Sequence, residues 1–290
     1  PRQCDLIEYL CTIADSSDRP SSQINCTIAA CSKMFSILNM PSVTASQVVK
    51  DFVSALIKSQ TEIPRARSKV LPVDAFTQLF HSWDQNDKLC IKDLRMKALT
   101  LLALTMMLRP SDVAPKSHHF DPVTKEKTRI VFNSSNVSFL DNGGLPVSFL
   151  GIKNDQDRSG QVVTIPPSKD PKMDPVKTLK DYMDATQVQR KSTGTEPVFL
   201  SLRQPYEAIT AATVANVLDD AIKAAGLADQ GFTAKSFRPT GATNAIEGDI
   251  DPAVAMKVGR WKTSSVFYGH YVHTQTPPDY TSLVLKEGGE

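Results

Sequence analysis

The segment Ile91–Leu108, reading IKDLRMKALTLLALTMML, constrains this chain more than any other. Its apolar residues keep helical spacing at first and then cover nearly every side. A helix apolar all round has no face to turn to water, so it must lie at the centre of its domain with other elements packed about it. It is no membrane span, because the longest apolar run, around Leu101–Leu108, falls far short of the roughly 20 residues a bilayer needs. The 290 residues suffice for one large domain or two ordinary ones. An apolar share of 41% and a charged share of 22% are those of a soluble globular protein. No charged-then-apolar leader is visible. The first residue, Pro1, points to a segment cut from a longer chain.

Ahead of the central helix the pattern is helical. Leu6, Tyr9, Leu10 and Ile13 recur at helical spacing, as do Ile24, Ile28, Ala29, Met34, Phe35 and Leu38 after Ser21–Ser22. Val48, Phe52, Leu56 and Ile57 follow Thr44 or Ser46, either of which can cap. Residues 63–72 lack periodicity and carry Pro64, Arg65, Arg67 and Lys69. They read as a basic linker between two domains, or else as an ordinary exposed loop. The expected organisation is a helical domain over 1–62, this linker, and a second domain over 73–290, opening with a helix at Val73–Trp83.

After Leu108 the period changes. Thr128–Phe132, Val137–Leu140, Val147–Ile152 and Gln161–Ile165 are short and rich in β-branched or aromatic residues, with turns at Asn142-Gly143-Gly144 and Asp155–Gly160. They predict a small antiparallel sheet. Helices return at Pro175–Ala185, Thr210–Ala225, Pro239–Glu247 and Pro252–Val258, the last capped by Asp251. The expected fold is mainly α with one small sheet. The five cysteines form no C-x-x-C pair and have no histidine cluster beside them, so they read as small apolar fillers in a reducing compartment.

Three segments concentrate chemistry. In Leu108-Arg109-Pro110-Ser111-Asp112 the proline forces Arg109 out of helical geometry at the end of the buried helix. A guanidinium there needs an anion, either Asp112 or a phosphate. In Lys235-Ser236-Phe237-Arg238-Pro239 the proline suits the first position of a helix. That puts Arg238 near a helix N-terminus, itself a site for anions, with Lys235 close by. In Gly259-Arg260-Trp261 through Tyr268-Gly269-His270-Tyr271 the indole can both pack and donate a hydrogen bond. Each segment alone also reads as ordinary packing or a surface cluster. A net charge of +2 does not by itself suggest nucleic acid, since a DNA-binding surface needs clustered cations, not a large total.

Their order is informative. An arginine after a buried helix, a K-x-x-R, then G-x-W and a tyrosine ten residues beyond the tryptophan resemble the tyrosine recombinase (phage integrase) family over roughly Val73–Val272. The helical first third is similar to that family's core-binding domain, which implies that its helices and the linker residues Arg65, Arg67 and Lys69 face DNA. The resemblance implies a site of Arg109, Lys153, Lys235, Arg238, Trp261 and Tyr271. Lysine and tryptophan at two places where histidine is commoner, with the ten-residue spacing, look most like recombinases of DIRS-type retrotransposons, including the Ngaro group. Tyr268 is the rival nucleophile. Lys153 sits in a hairpin pattern, Phe149–Ile165, where an edge lysine can also serve only to block aggregation. Lys125 and Lys127 are alternatives to it.

What the resemblance implies is cutting and rejoining of double-stranded DNA through a 3′-phosphotyrosyl link, integrating a mobile element, without metal, cofactor or ATP. The implied partners are DNA and further copies of the chain, a dimer on one site and a tetramer in synapsis, with Tyr280, Leu283, Val284 and Leu285 as a tail that docks on a neighbour or on its own subunit. The implied location is intracellular, nuclear in a eukaryote. A type IB topoisomerase and an inactive DNA-binding relic are the competing readings.

Overall fold

A computed structural model describes residues 2–17, 20–60, 69–114, 132, 134–149, 160–193 and 197–274. These form two compact units, Pro1–Ala66 and Arg67–Glu290.

The first unit is three helices, α1 (Gln3–Ser16), α2 (Pro20–Ile37) and α3 (Gln47–Ser59). Leu6, Leu10, Ile13, Ile24 and Val49 close into its core. Ser46 is the N-cap residue of α3, although its side chain makes no capping bond; Ser42 instead caps the tight turn Val43–Ala45. Not every residue at helical spacing is buried. Tyr9, Met34, Leu38 and Val48 are exposed. Leu6, Leu10 and Ile13 already fill the inward stripe of α1, and in the last turn of α2 the buried residue is Phe35.

The second unit is built round α5 (Ile91–Thr105), in which every residue from Leu94 to Leu104 is buried. It packs against α7 (Pro175–Ala185), α9 (Ala211–Ala224) and α10 (Phe237–Glu247). The expected helix Val73–Trp83 is α4 (Val73–Ser82), whose Phe76 and Phe80 enter the same core. A short α6 (Pro110–Val113) follows α5. The second unit is completed by α8 (Gln187–Thr193), α11 (Pro252–Gly259) and α12 (Ser264–His270). Asp251 caps α11 through its carboxylate and the Ala253 amide at 2.7 Å.

Two strands are present among the described residues. Strands β1 (Leu145–Phe149) and β2 (Gln161–Ile165) pair antiparallel, Val147 opposite Val163. The expectation of four strands is corrected in part. Val137 makes one isolated bridge to Val147, and residues 138–140 close a turn onto Gly144 instead of extending a ladder. The asparagine–glycine turn sits directly after them, too soon for a strand to develop. Most of Thr128–Phe132 and residues 150–159, the middle of the predicted hairpin, lie outside the described residues.

The cysteine expectation also needs correction. All five are free, but Cys4, Cys26 and Cys90 are exposed, so they do not fill core space. No helix among the described residues is long and apolar enough to cross a membrane.

Gly241 fixes how closely α10 crosses α5. A Cβ at this position would lie 2.3 Å from the Leu104 carbonyl oxygen. Gly241→Ala is therefore expected to lower stability by about 1–3 kcal/mol through forced separation of the helices. A urea midpoint unchanged from wild type would contradict that packing.

Candidate active site

Helix α5 ends at Thr105, and the chain turns through Met107 in the left-handed region at φ 51. Arg109 then adopts extended geometry, φ −88 and ψ 151, as a residue before proline must. Its amide donates to Asp112 Oδ2 at 3.0 Å. Of the two partners open to Arg109, Asp112 thus takes its backbone, while the guanidinium ion-pairing with Asp112 is Arg260, at 3.1 Å, with both side chains almost wholly buried. Arg260 sits past the end of α11 in the left-handed region, φ 59, where non-glycine residues are uncommon. It donates to the carbonyls of Met106 and Val258 and lies 4.2 Å over the Phe149 ring.

Arg238 departs from the sequence expectation in detail. The turn Ala234–Ser236 runs straight into α10, which starts at Phe237, so Pro239 is not its first residue and Arg238 lies within the first turn. Its side chain is 3% exposed. It donates to the carbonyl of Met107 and, at 2.5 Å, to that of Gly259. The guanidinium lies 4.0 Å over the ring of Trp261 and 5.1 Å over that of Tyr271. Gly259 is what admits the indole, since a Cβ there would stand 1.7 Å from Trp261 Cζ3.

Tyr271 follows the last residue of α12. Its hydroxyl oxygen accepts a hydrogen bond from Arg109 Nη2 at 3.3 Å. The side chains of Arg109, Lys235, Arg238, His270 and Tyr271 line one cleft of about 550 Å³, walled by the N-terminal half of α9. Lys235 is exposed and makes no ion pair among the described residues. Asp219, also at the cleft, accepts from the Ala234 amide at 2.6 Å and so holds the turn that carries Lys235. Trp261 does not line the cleft. It lies beneath, and its buried indole N–H has no acceptor among the described residues. Tyr268 is elsewhere, exposed and edge-on to Phe267.

The electrostatics are those of a cationic site. Arg109, Arg238 and Arg260 crowd together, and Asp112 is the carboxylate that answers them. Burial, then the charges of Arg109 and Arg260, push the Arg238 guanidinium down to about 9. Burial lowers Arg260 as well, partly offset by Asp112. For Tyr271, burial raises the phenol, but the hydrogen bond and charge of Arg109 and the charge of Arg238 outweigh it. The phenol therefore ionises below its ordinary value of 10. Among the described residues, no three side chains of His, Cys, Asp or Glu gather to hold a metal ion.

Arg109, Lys235, Arg238, Trp261 and Tyr271 thus come together from four separate stretches of chain. Lys153 and its alternatives Lys125 and Lys127 lie outside the described residues, as do Arg65, Arg67 and the tail from Tyr280 to Leu285. Lys69 is exposed and donates to the Gln230 carbonyl at 2.7 Å. Sequence reasoning missed Arg260 and Asp219. An arginine wedged between a glycine and a tryptophan in an apolar stretch was the available signal for the first; nothing local marked the second.

Together these elements have the fold of the tyrosine recombinases, a helical core-binding unit followed by a catalytic unit. The XerH site-specific recombinase bound to palindromic difH substrate, in a post-cleavage complex, is similar with a TM-score of 0.53 at 12% identity, over 83% of this chain and 64% of that one. A lambda integrase dimer bound to a COC′ core site gives 0.51 at 16% identity, over 93% and 64%. XerA recombinase gives 0.52 at 13% identity, over 99% and 91%. The chain thus spans less than two thirds of the XerH and lambda integrase chains. At such identities the likeness is one of fold. No family profile and no curated protein matches the sequence.

Proposed function

We propose that this protein is a DNA strand transferase that cuts and rejoins DNA through Tyr271. The observation that carries the reading is the excess of arginine charge around an open cleft into which a tyrosine hydroxyl faces. Phosphoryl transfer builds negative charge on the phosphate oxygens, and positioned cations are its main catalytic device. A phosphodiester in the cleft would meet Arg109 directly and Lys235 from the rim. Arg238 would act from below, its charge held by the Met107 and Gly259 carbonyls and by the indole of Trp261.

Tyr271 Oη attacks phosphorus, the oxygen–phosphorus bond forms, and the bond to the 5′-oxygen breaks. The tyrosine proton passes to water in the open cleft as the bond forms, which the lowered pKa of the phenol favours. The departing oxygen takes up a proton, and the family resemblance gives that donation to Lys153. A 5′-hydroxyl of another strand reverses the step, so the phosphodiester energy is conserved and neither ATP nor a metal is needed. Dimers on one site and tetramers in synapsis, action where genomic DNA resides, and service to a DIRS- or Ngaro-like mobile element complete the proposal. Lys235, Trp261 and the ten-residue spacing to Tyr271 support that last part.

One observation favours the relic reading instead. Both terminal nitrogens of Arg238 already bond carbonyls, and the Trp261 N–H is buried. The two readings separate on a randomised pool of nicked duplexes whose leaving strand diffuses away. Wild type and Tyr268→Phe are expected to form a covalent complex and Tyr271→Phe none. Loss with Tyr268→Phe alone would move the nucleophile, and no complex from wild type would favour the relic.

A further inference from the structure

A second cleft, of about 420 Å³, lies on the other side of the start of α9. Arg95 lies in its wall. This arginine belongs to the buried helix α5 and is 7% exposed, yet no carboxylate among the described residues pairs with it. Its Nη1 donates to the Leu200 carbonyl at 2.9 Å, while Nε is buried without a partner among the described residues. A buried guanidinium with neither counter-ion nor full hydrogen bonding is costly, so a tolerated one implies an anion that arrives later. Arg203 lines the same cleft, exposed and without an ion pair among the described residues. So do Thr210 and Thr213, the cap and third residue of the 14-residue helix α9, whose positive end therefore opens here. Glu207 is the one acidic residue of the lining, and it pairs with neither arginine.

The geometry points to this cleft as a phosphate-binding site that grips the DNA backbone next to the cutting site. The inference rests on the function proposed above. Its support is continuity, since Ala211 and Ala215 of α9 wall the first cleft while Thr210 and Thr213 face the second. The two clefts thus share the first turn and a half of one helix, about 8 Å of its axis. Successive phosphates of one strand advance about 3.4 Å along the duplex. A strand lying across the start of α9 would place one phosphate beside Tyr271 and another, a few nucleotides along, beside Arg95. Phosphate contacts of this kind set register and carry no sequence information.

The test is binding of a random-sequence duplex as a function of salt, for wild type, Thr213→Glu and Arg203→Ala. Glutamate at the third position of a helix suits the positive end, so Thr213→Glu should fold at least as well as wild type while repelling phosphate. Each lost phosphate contact flattens the plot of log affinity against log salt by about 0.9. Both variants are expected to show that loss, and Thr213→Glu to weaken binding at least tenfold at low salt. Slopes equal to wild type would overturn the inference while leaving the catalytic cleft untouched. No duplex binding by wild type would instead overturn the proposed function and this site with it. Inorganic phosphate bound by wild type and not by Thr213→Glu, with unchanged DNA slopes, would assign the cleft to a small soluble phosphate and overturn the DNA assignment.

Discussion

Arg109→Ala is expected to slow DNA cleavage by about 10²–10³-fold, the usual effect of removing one donor to a developing oxyanion. The same change should also move the nucleophile's titration, and the sign follows from the contacts. Burial raises the Tyr271 phenol, and Arg109 reverses this by hydrogen bond and by charge, helped by Arg238. Without Arg109, burial is opposed only by Arg238, so the phenol ionises at higher pH than in wild type. The cleavage rate of the variant should therefore reach its alkaline plateau later. The difference in phenolate absorbance between each protein and its Tyr271→Phe counterpart reads the same shift without DNA. A depressed tyrosine pKa stabilises the fold only above the folded value and fully above the unfolded one, so Arg109 should make no difference to stability at neutral pH by this route. An unshifted phenol in Arg109→Ala would mean that the 3.3 Å contact is not maintained in solution.

The second large effect is expected at Arg260, which touches neither tyrosine nor cleft. Arg260→Met leaves Asp112 buried without its ion-pair partner and should cost about 3–5 kcal/mol of folding stability. The double change Asp112→Leu with Arg260→Met removes both charges, and denaturant unfolding should show most of that stability regained. Cleavage should not recover with it. Asp112 also accepts the Arg109 amide, and without it the extended link between α5 and α6 loses the bond that aims the arginine. Recovery of activity together with stability would reduce the pair to a packing feature.

Much of this was legible in the sequence because it depends on local rules. The all-round apolarity of Ile91–Leu108 placed α5 at the centre, and Pro110 forced Arg109 out of the helix. Asp251, Pro252 and Gly226 marked helix ends that are where they should be. Illegible features depend on contacts between distant segments. The ion pair from Arg260 to Asp112 joins residues far apart in sequence, and Asp112 had a closer arginine to suggest itself. Arg238 was expected at a helix end because Pro239 favours a first position. The turn before it continues into the helix, so it is carbonyls from two other segments that receive its guanidinium. Trp261 was expected to donate towards a phosphate, but the space admitted by Gly259 holds its ring under Arg238. The sheet was overdrawn because the Ser138 and Leu140 amides bond the carbonyls of Pro146 and Gly144 but the chain turns back at Asn142-Gly143 before a full ladder forms.

The decisive property of the protein is which of its atoms becomes joined to DNA. The covalent complex trapped on nicked duplex can be digested with protease and nuclease, and the nucleotide-bearing peptide sequenced by mass spectrometry. The prediction is a phosphodiester remnant on Tyr271 Oη, joined to the 3′ side of the break. A remnant on Tyr268, on any other residue, or on the 5′ side would contradict it.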